Sequence, residues 1–316
     1  MRTPAELAQA ACGTAKIKSG LSVPRMLMLG FLAGAYIAFA AWLTTVVTHD
    51  MPAHFGKGFT AFMAGSVFSV GLMMVVISGA ELFTGNCMMP IGYLAGCTTF
   101  RKIARNWFWV YVANFIGGIV VAVLVVASGL ATDAVAGKAL AMAAGKMSIP
   151  FVQAFVRGVL CNWLVTLAVW MTMASTDVTG KIWASFFPIM AFVASGFEHC
   201  VANMYFLTVG MLLRGNPAAA AASGLTEQAL SSVGMGGYLA KLYYLPPEST
   251  IKKGDQILTS GIDNSYPQGI RIGSVISVED DKGEVMKNAV IKPYVNFDKI
   301  QELLIVVPKN KVDIKY

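Results

Sequence analysis

Up to about residue 213, apolar residues run in long blocks rather than at the spacing of a half-buried strand or a surface helix. Five blocks, Met26–Thr48, Phe59–Cys97, Trp107–Ala131, Ile149–Ser175 and Ile182–Leu213, are each long enough to cross a bilayer core, which takes about 20 residues per helix. The second is too long for one crossing, and both it and the fifth are interrupted by the same polar pattern. Ser78-Gly79-Ala80-Glu81, with Asn86 five residues after the glutamate, returns as Ser195-Gly196-Phe197-Glu198 with Asn203 at the same spacing. A glutamate and an asparagine are costly in the middle of a lipid-facing helix. The pattern therefore predicts two discontinuous helices whose broken ends point at a permeating species near the bilayer midplane.

The repeat extends beyond this motif. Gly30-Phe31-Leu32 with Trp42 in the first block matches Gly158-Val159-Leu160 with Trp170 in the fourth. Three crossings then form one unit, and an odd number inverts the second unit. The third member of unit one is Asn106–Leu124, with Asn114-Phe115-Ile116-Gly117-Gly118 inside it. Unit two should close with a sixth crossing, but an Ala/Ser/Gly-rich stretch, Asn216–Gly237, stands there instead. From Lys241 onward the chain is charged, and Asp255–Thr259, Ile272–Glu279, Val285–Val295 and Glu302–Val307 read as short strands between turn residues. The expected fold is an all-α polytopic membrane protein with an inverted three-helix repeat, two broken helices and a missing sixth crossing, over 1–240. A small all-β domain follows over 241–316.

Composition agrees: of 316 residues 56% are hydrophobic and 13% charged, with mean hydropathy +0.63. The net charge of +7 comes without a Lys/Arg run interleaved with aromatics, so nucleic acid is not expected as a partner. Under the positive-inside rule Arg101, Lys102 and Arg105 place their loop and the N-terminus in the cytoplasm. Alternation puts Lys57 and the Lys138–Lys146 loop outside, Lys181 inside, and everything after Leu213 outside, in a bacterial or archaeal cytoplasmic membrane. The basic residues Arg2, Lys16, Lys18 and Arg25 precede the first block without a small-residue cleavage pattern, so a removable signal peptide is not expected. Cys12, Cys87, Cys97, Cys161 and Cys200 lack metal-ligand spacing and read as small buried hydrophobes, with neither a metal site nor a disulfide expected.

His199 is the one histidine inside an apolar block, beside a glutamate and a helix break. A satisfied core histidine is the bland alternative; an intramembrane ionisable group favours function, as hydrogen-bond donor and proton exchanger. Glu81 and Glu198 are expected to hold freed backbone N–H groups or a basic partner. Asn86 and Asn203 are expected to cap the second half-helices, whose N-termini offer N–H groups to an anion. The Thr84 hydroxyl is placed to face His199. No nucleophile–base pair or phosphate loop is present, so neither an enzyme nor a cofactor is expected.

Ala80-Glu81-Leu82-Phe83-Thr84, Asn106-Trp107 with Tyr111 and Asn114, and above all Phe192-Val193-Ala194-Ser195-Gly196-Phe197-Glu198-His199-Cys200-Val201-Ala202-Asn203-Met204 carry a resemblance to the formate/nitrite transporter family over 1–240. The resemblance implies a pentamer with one pore per protomer, passing small monovalent weak-acid anions (formate foremost, nitrite or hydrosulfide also) with protons. It places His199 at the pore centre, Leu82, Phe192, Phe68 and Leu72 at constrictions, and Lys146 and Lys16 (or Lys18) in the vestibules. Tyr244-Leu245-Pro246, Leu258-Thr259-Ser260-Gly261, Pro267-Gln268-Gly269-Ile270 and Val295-Asn296-Phe297-Asp298 resemble the C-terminal β-domain of MreC-type cell-shape proteins. A natural fusion and a recombined chimera both fit this junction. A membrane-anchored scaffold displaying the tail is the alternative to a channel.

Overall fold

The computed structural model describes residues 2–234, apart from the Gln228 side chain, and the backbone of 256–258, 271–279 and 288–293. The chain divides into two compact units, Met1–Pro247 and Glu248–Tyr316. In the first, α1 (Pro4–Ser19) starts at a capping box: the Thr3 hydroxyl accepts from the Glu6 N–H, and the Glu6 carboxylate accepts from the Thr3 N–H at 2.7 Å. This arrangement satisfies two N–H groups that a helix end leaves open. It is followed by α2 (Val23–Thr48), α3 (Met51–Phe68) and α4 (Val70–Ser78), and the short α5 (Phe83–Asn86) and α6 (Pro90–Leu94). The long α7 (Phe100–Ala127), α8 (Asp133–Ser148), α9 (Phe151–Ala174), α10 (Val178–Ala194) and α11 (Cys200–Leu213) complete the bundle, and α12 (Pro217–Ser223) and α13 (Glu227–Ser232) are short.

Four spans are long and apolar enough to cross a membrane, Val23–Thr48, Met51–Ser78, Phe100–Ala127 and Phe151–Ala174, and α10 and α11 are shorter apolar helices. The second span starts at Met51 rather than Phe59, because Pro52 sits comfortably in a first helical turn and the chain bends at Gly56, whose φ is +75°. Both expected breaks are present. Among the described residues, no helix after α11 is long and apolar enough to cross. The stretch read as a loop at Lys138–Lys146 lies in α8, and part of the Ala/Ser/Gly-rich stretch Asn216–Gly237 forms α12 and α13. Asn216 opens α12 by accepting from the N–H groups of Ala218 and Ala219.

The core is built on small residues. The most extensively packed pair is α2 with α7, where Gly34 lies directly on the Asn114 carbonyl and Gly117 on the Phe31 carbonyl. With no water to displace between membrane helices, close backbone approach through Gly and Ala supplies the packing.

The expectation of five unpaired cysteines is overturned. Cys12 of α1 and Cys97, in the turn before α7, form a disulfide with their Cα atoms 5.8 Å apart. Spacing rules look for partners close in sequence, whereas these are 85 residues apart. Cys87, Cys161 and Cys200 are free.

In the second unit, β1 (Gln256–Leu258), β2 (Arg271–Glu279) and β3 (Asn288–Pro293) form an antiparallel sheet in the order β1-β2-β3. Val275 pairs with Ile291 and Val278 with Ala289, and the β2–β3 register shifts between Val275 and Ser277. The strand expected at Glu302–Val307 lies outside the described residues.

Substituting leucine for Gly34 should cost about 1–3 kcal/mol or more through overpacking, because the new side chain would occupy the position of the Asn114 carbonyl. Size-exclusion chromatography of the detergent-extracted protein should show a reduced folded peak for Gly34→Leu. Gly58→Ala, where an added Cβ meets nothing within 4 Å, should behave as wild type.

Candidate functional site

Each helix break begins at the glycine of the repeated motif. Gly79 and Gly196 take φ of +73° and +74°, a left-handed conformation that a Cβ disfavours. The following N–H then folds back five residues, from Ala80 to the Val75 carbonyl at 3.0 Å and from Phe197 to the Phe192 carbonyl at 3.1 Å. This is the Schellman stop, which ends a helix while keeping its last carbonyls bonded. Next, the Glu81 N–H reaches the Leu29 carbonyl at 3.1 Å, and the Glu198 N–H reaches the Arg157 carbonyl at 3.4 Å. The sequence repeat is therefore also a hydrogen-bond repeat.

Both carboxylates are buried, and each has the same kinds of partner. Lys18 Nζ lies 2.6 Å from Glu81 Oε1, and Asn86 Nδ2 donates to Glu81 Oε2 at 2.7 Å. Lys146 Nζ lies 2.9 Å from Glu198 Oε2, to which Asn203 Nδ2 also donates at 2.9 Å. A carboxylate in low dielectric tolerates burial only when paired and hydrogen-bonded.

Two expectations are corrected here. Lys16 is exposed; Lys18 makes the contact, and on a helix of 3.6 residues per turn, residues two apart face different ways. Asn86 and Asn203 are not N-caps. Asn203 lies inside α11, its own N–H bonded to the His199 carbonyl at 2.9 Å, and Asn86 is the last residue of α5. The cap of α11 is His199, whose Nδ1 accepts from the Ala202 N–H at 3.0 Å. The repeat-equivalent cap position in α5 is Leu82, with nearly the same backbone angles (φ −104°, ψ 124° against φ −102°, ψ 112°) and no side-chain acceptor.

With Nδ1 accepting, a neutral His199 ring carries its proton on Nε2. Nε2 meets Thr84 Oγ1 at 3.0 Å, the pairing expected from the sequence. Phe192 stacks on the imidazole (centroids 5.7 Å apart, planes at 16°), and Phe68 meets its edge at 6.4 Å. Leu72 and Leu82 are buried.

Two cavities approach this centre and share no lining residue. One, of about 460 Å³, is bounded by Leu72, Leu82 and Glu81 and carries Arg2, Lys18 and Lys181. The other, of about 470 Å³, is bounded by Phe68, Phe192, His199 and Glu198 and carries Lys57, Lys138 and Lys146. Each mouth thus pairs three cations with one carboxylate. Burial pulls the Lys138 ammonium below the usual lysine value.

Sequence reasoning assigned no site role to Asn114 and Asn106. Asn114 of α7 bridges the first break to α2: Nδ2 donates to the carbonyls of Gly30 and Glu81, and Oδ1 accepts from the Phe83 N–H at 2.9 Å. Asn106 accepts from Asn86 at 2.8 Å and donates to the Lys18 carbonyl at 3.1 Å. The signal was an asparagine in an apolar span. No side chain among the described residues does the same at the second break, where the buried Asn203 Oδ1 has no partner. A third cavity of about 450 Å³ opens there beside α9, reaching Thr84 and His199 past Gly158 and Asn162. Groups of three or more potential metal ligands are absent among the described residues.

Comparison with known proteins bears on the family and the fold. The family model described as "Formate/nitrite transporter" matches residues 5–244, and that of the MreC barrel core matches 208–307. A probable formate transporter of Methanothermobacter thermautotrophicus is 46% identical over 232 residues, covering 68% of this chain and 85% of its own. The formate channel FocA of Haemophilus influenzae is 40% identical over 215 residues, 66% of this chain and 75% of its own. A solved pentameric formate channel with formate bound superposes with a TM-score of 0.63 at 30% identity, covering 71% of this chain and 89% of its own.

The lysine–carboxylate bridges generate a stability test. Lys146→Met leaves Glu198 buried without a cation and should cost about 3–5 kcal/mol, read as a lower thermal midpoint in detergent. Adding Glu198→Gln should restore most of the loss; an unchanged midpoint in the single variant would show that the bridge carries no stability.

Proposed function

Because the chain belongs to the formate/nitrite transporter family, we propose that it conducts small monovalent weak-acid anions, formate foremost and nitrite or hydrosulfide by the same chemistry, along a path centred on Thr84 and His199. The observation that carries this reading is the pair of cation-bearing cavities, one lined by Leu82 and Gly85 on either side of Thr84 and the other by His199, with a buried hydroxyl–imidazole contact joining Thr84 to His199. Moving a bare anion into a dry constriction costs of order 20 kcal/mol before relaxation, so electrostatics and proton chemistry must both act.

Lys57, Lys138 and Lys146 on one side, and Arg2, Lys18 and Lys181 on the other, raise the local anion concentration. Glu81 and Glu198 are already neutralised by lysine and hydrogen-bonded by asparagine, so they hold the breaks open without repelling the substrate. At the centre the Nε2–H of His199 turns from Thr84 to the anion's oxygen or sulfur as it sheds water. A proton taken from this site or from water lets the neutral acid pass between Leu72, Leu82, Phe68 and Phe192. Because Nδ1 is committed to the α11 cap, proton exchange runs through Nε2.

The protein is a multi-pass membrane protein, and by analogy with its pentameric relative we read each protomer of a homopentamer as one conduit. With no further crossing after α11 among the described residues, we expect that assembly to be weaker than in a six-crossing relative. Arg101, Lys102 and Arg105 orient the Glu81 cavity to the cytoplasm, leaving residues after Leu213 outside.

Proteoliposomes holding the full chain should take up labelled formate, with a rate that depends on pH. His199→Asn keeps a capping side chain at the start of α11 while removing the exchangeable Nε2 proton. It should preserve the oligomer and flatten the pH profile. Absence of uptake by the wild type would favour the membrane-anchored scaffold instead. A profile unchanged by His199→Asn would remove the proton role from the histidine.

The lowered Lys138 value has a definite sign. This ammonium loses its charge at lower pH than an ordinary lysine, so capture on its side should begin to fail earlier on the alkaline side. Lys138→Arg keeps the charge and should shift that decline upward, measured as the apparent KM for formate between neutral and alkaline pH. An identical decline in both proteins would exclude Lys138 from capture.

A further inference from the structure

Cys12 and Cys97 serve no part of the path described above, yet they cross-link the element that builds one of its mouths. Ala11, Thr14 and Lys18 of α1 line the Glu81 cavity, so α1 is a strap across that opening. Its other fastenings are exchangeable. Lys18 holds Glu81 at 2.6 Å, the Thr98 hydroxyl donates to Ser19 Oγ at 2.7 Å, and Arg2 donates to the Met173 carbonyl at 2.7 Å. Gly92 of α6 lets Ala15 come into close contact. Among the described residues the Cys12–Cys97 bond is the one covalent cross-link, and both cysteines are partly exposed.

The side of the membrane matters. Cys97 is followed at once by Arg101, Lys102 and Arg105, the basic cluster that marks the cytoplasmic face. Thiols there are kept reduced, and disulfides that form are usually transient and redox-sensing rather than structural.

We propose that Cys12 and Cys97 are a thiol–disulfide exchange site whose oxidation state sets whether α1 stays strapped over the Glu81 cavity. In the forward direction one cysteine thiolate attacks a low-molecular-weight disulfide and expels one thiolate. The second cysteine then attacks the resulting mixed disulfide and expels the other. The balance is two protein thiols and one RSSR giving the Cys12–Cys97 bond and two RSH, and a soluble dithiol reverses it. With the bond made, Lys18 is kept on Glu81 and Arg2 at the rim. With it broken, α1 detaches more often. Glu81 is then left without its cation, and of the mouth's three cations only Lys181 lies outside the α1 segment. The mouth's net charge falls from +2 to zero and its pull on anions is lost, so reduction lowers flux. The flux part rests on the anion-conduction reading; the strap itself does not.

The test uses the full-length protein, equilibrated with oxidised glutathione or with dithiothreitol, and reads three quantities: cross-link by mass spectrometry, amide hydrogen exchange over residues 4–19, and formate uptake in proteoliposomes. Oxidised glutathione should produce the Cys12–Cys97 linkage. Dithiothreitol should speed exchange over 4–19 by about tenfold and lower uptake several-fold. Cys97→Ser should match the reduced protein under both conditions. Failure to form the linkage, equal exchange in both states, or uptake that is unchanged or raised by reduction would each overturn the proposal. If neither form takes up formate, the conduction reading fails by itself, and hydrogen exchange alone decides whether the strap exists.

Discussion

A carboxylate buried at a helix break cannot remain charged without a cation, and the bundle is arranged to bring one to each. Glu81 takes Lys18 from a helix that precedes the first crossing, and Glu198 takes Lys146 from a helix that precedes the fourth. In each case an asparagine from the following turn occupies an oxygen of the same carboxylate. Hydrocarbon offers freed backbone groups no partner, so a break must bring its own. The glutamates organise that supply, and the positions of α1, α8, Asn86 and Asn203 follow from it. Their cost as buried ions is offset locally, which is why, on the conduction reading, two acidic groups can flank the path without closing it.

The two halves agree in backbone and differ in chemistry at one decisive place. Gly79 and Gly196 end their helices alike, and Leu82 and His199 hold the same extended cap conformation. Leucine at that position is only a wall. Histidine caps α11 with one ring nitrogen and presents the other to Thr84, which comes from the opposite half. The halves differ a second time in what supports them. Asn114 from α7 bridges the first break to α2, while the second faces the cavity beside α9 with Asn203 Oδ1 unpartnered.

Much of this was legible in the chain because it is written in local chemistry. Glycine before a buried glutamate, asparagine five residues later, and their recurrence located both breaks and the carboxylates' need for a basic partner, and they placed Thr84 opposite His199. What escaped depends on contacts between distant segments. The Cys12–Cys97 link joins residues that no spacing rule connects. The choice of Lys18 over Lys16 follows from which face α1 turns inward. Asn86 and Asn203 have a cap's composition but sit within or at the end of a helix, so type without position misled. α8 reads as a loop because its Ala/Gly/Lys composition is barely apolar, and α1 goes unseen because its capping box lies among exposed residues. Strands β1 to β3 overlap three of the β-branched runs, at the level of backbone pairing.

The equivalence of Leu82 and His199 reaches beyond architecture. A conduit with matched vestibules and an unmatched centre has its highest barrier displaced toward one end. On the conduction reading, an anion arriving from the Lys146 side meets the imidazole before the leucine wall, and one from the Lys18 side meets them in reverse. Equilibrium forbids net transport from such asymmetry alone, but it leaves the two directions free to saturate at different concentrations and to respond unequally to voltage. Rectification would then be inherited from a single broken symmetry between two cap residues, without any moving gate.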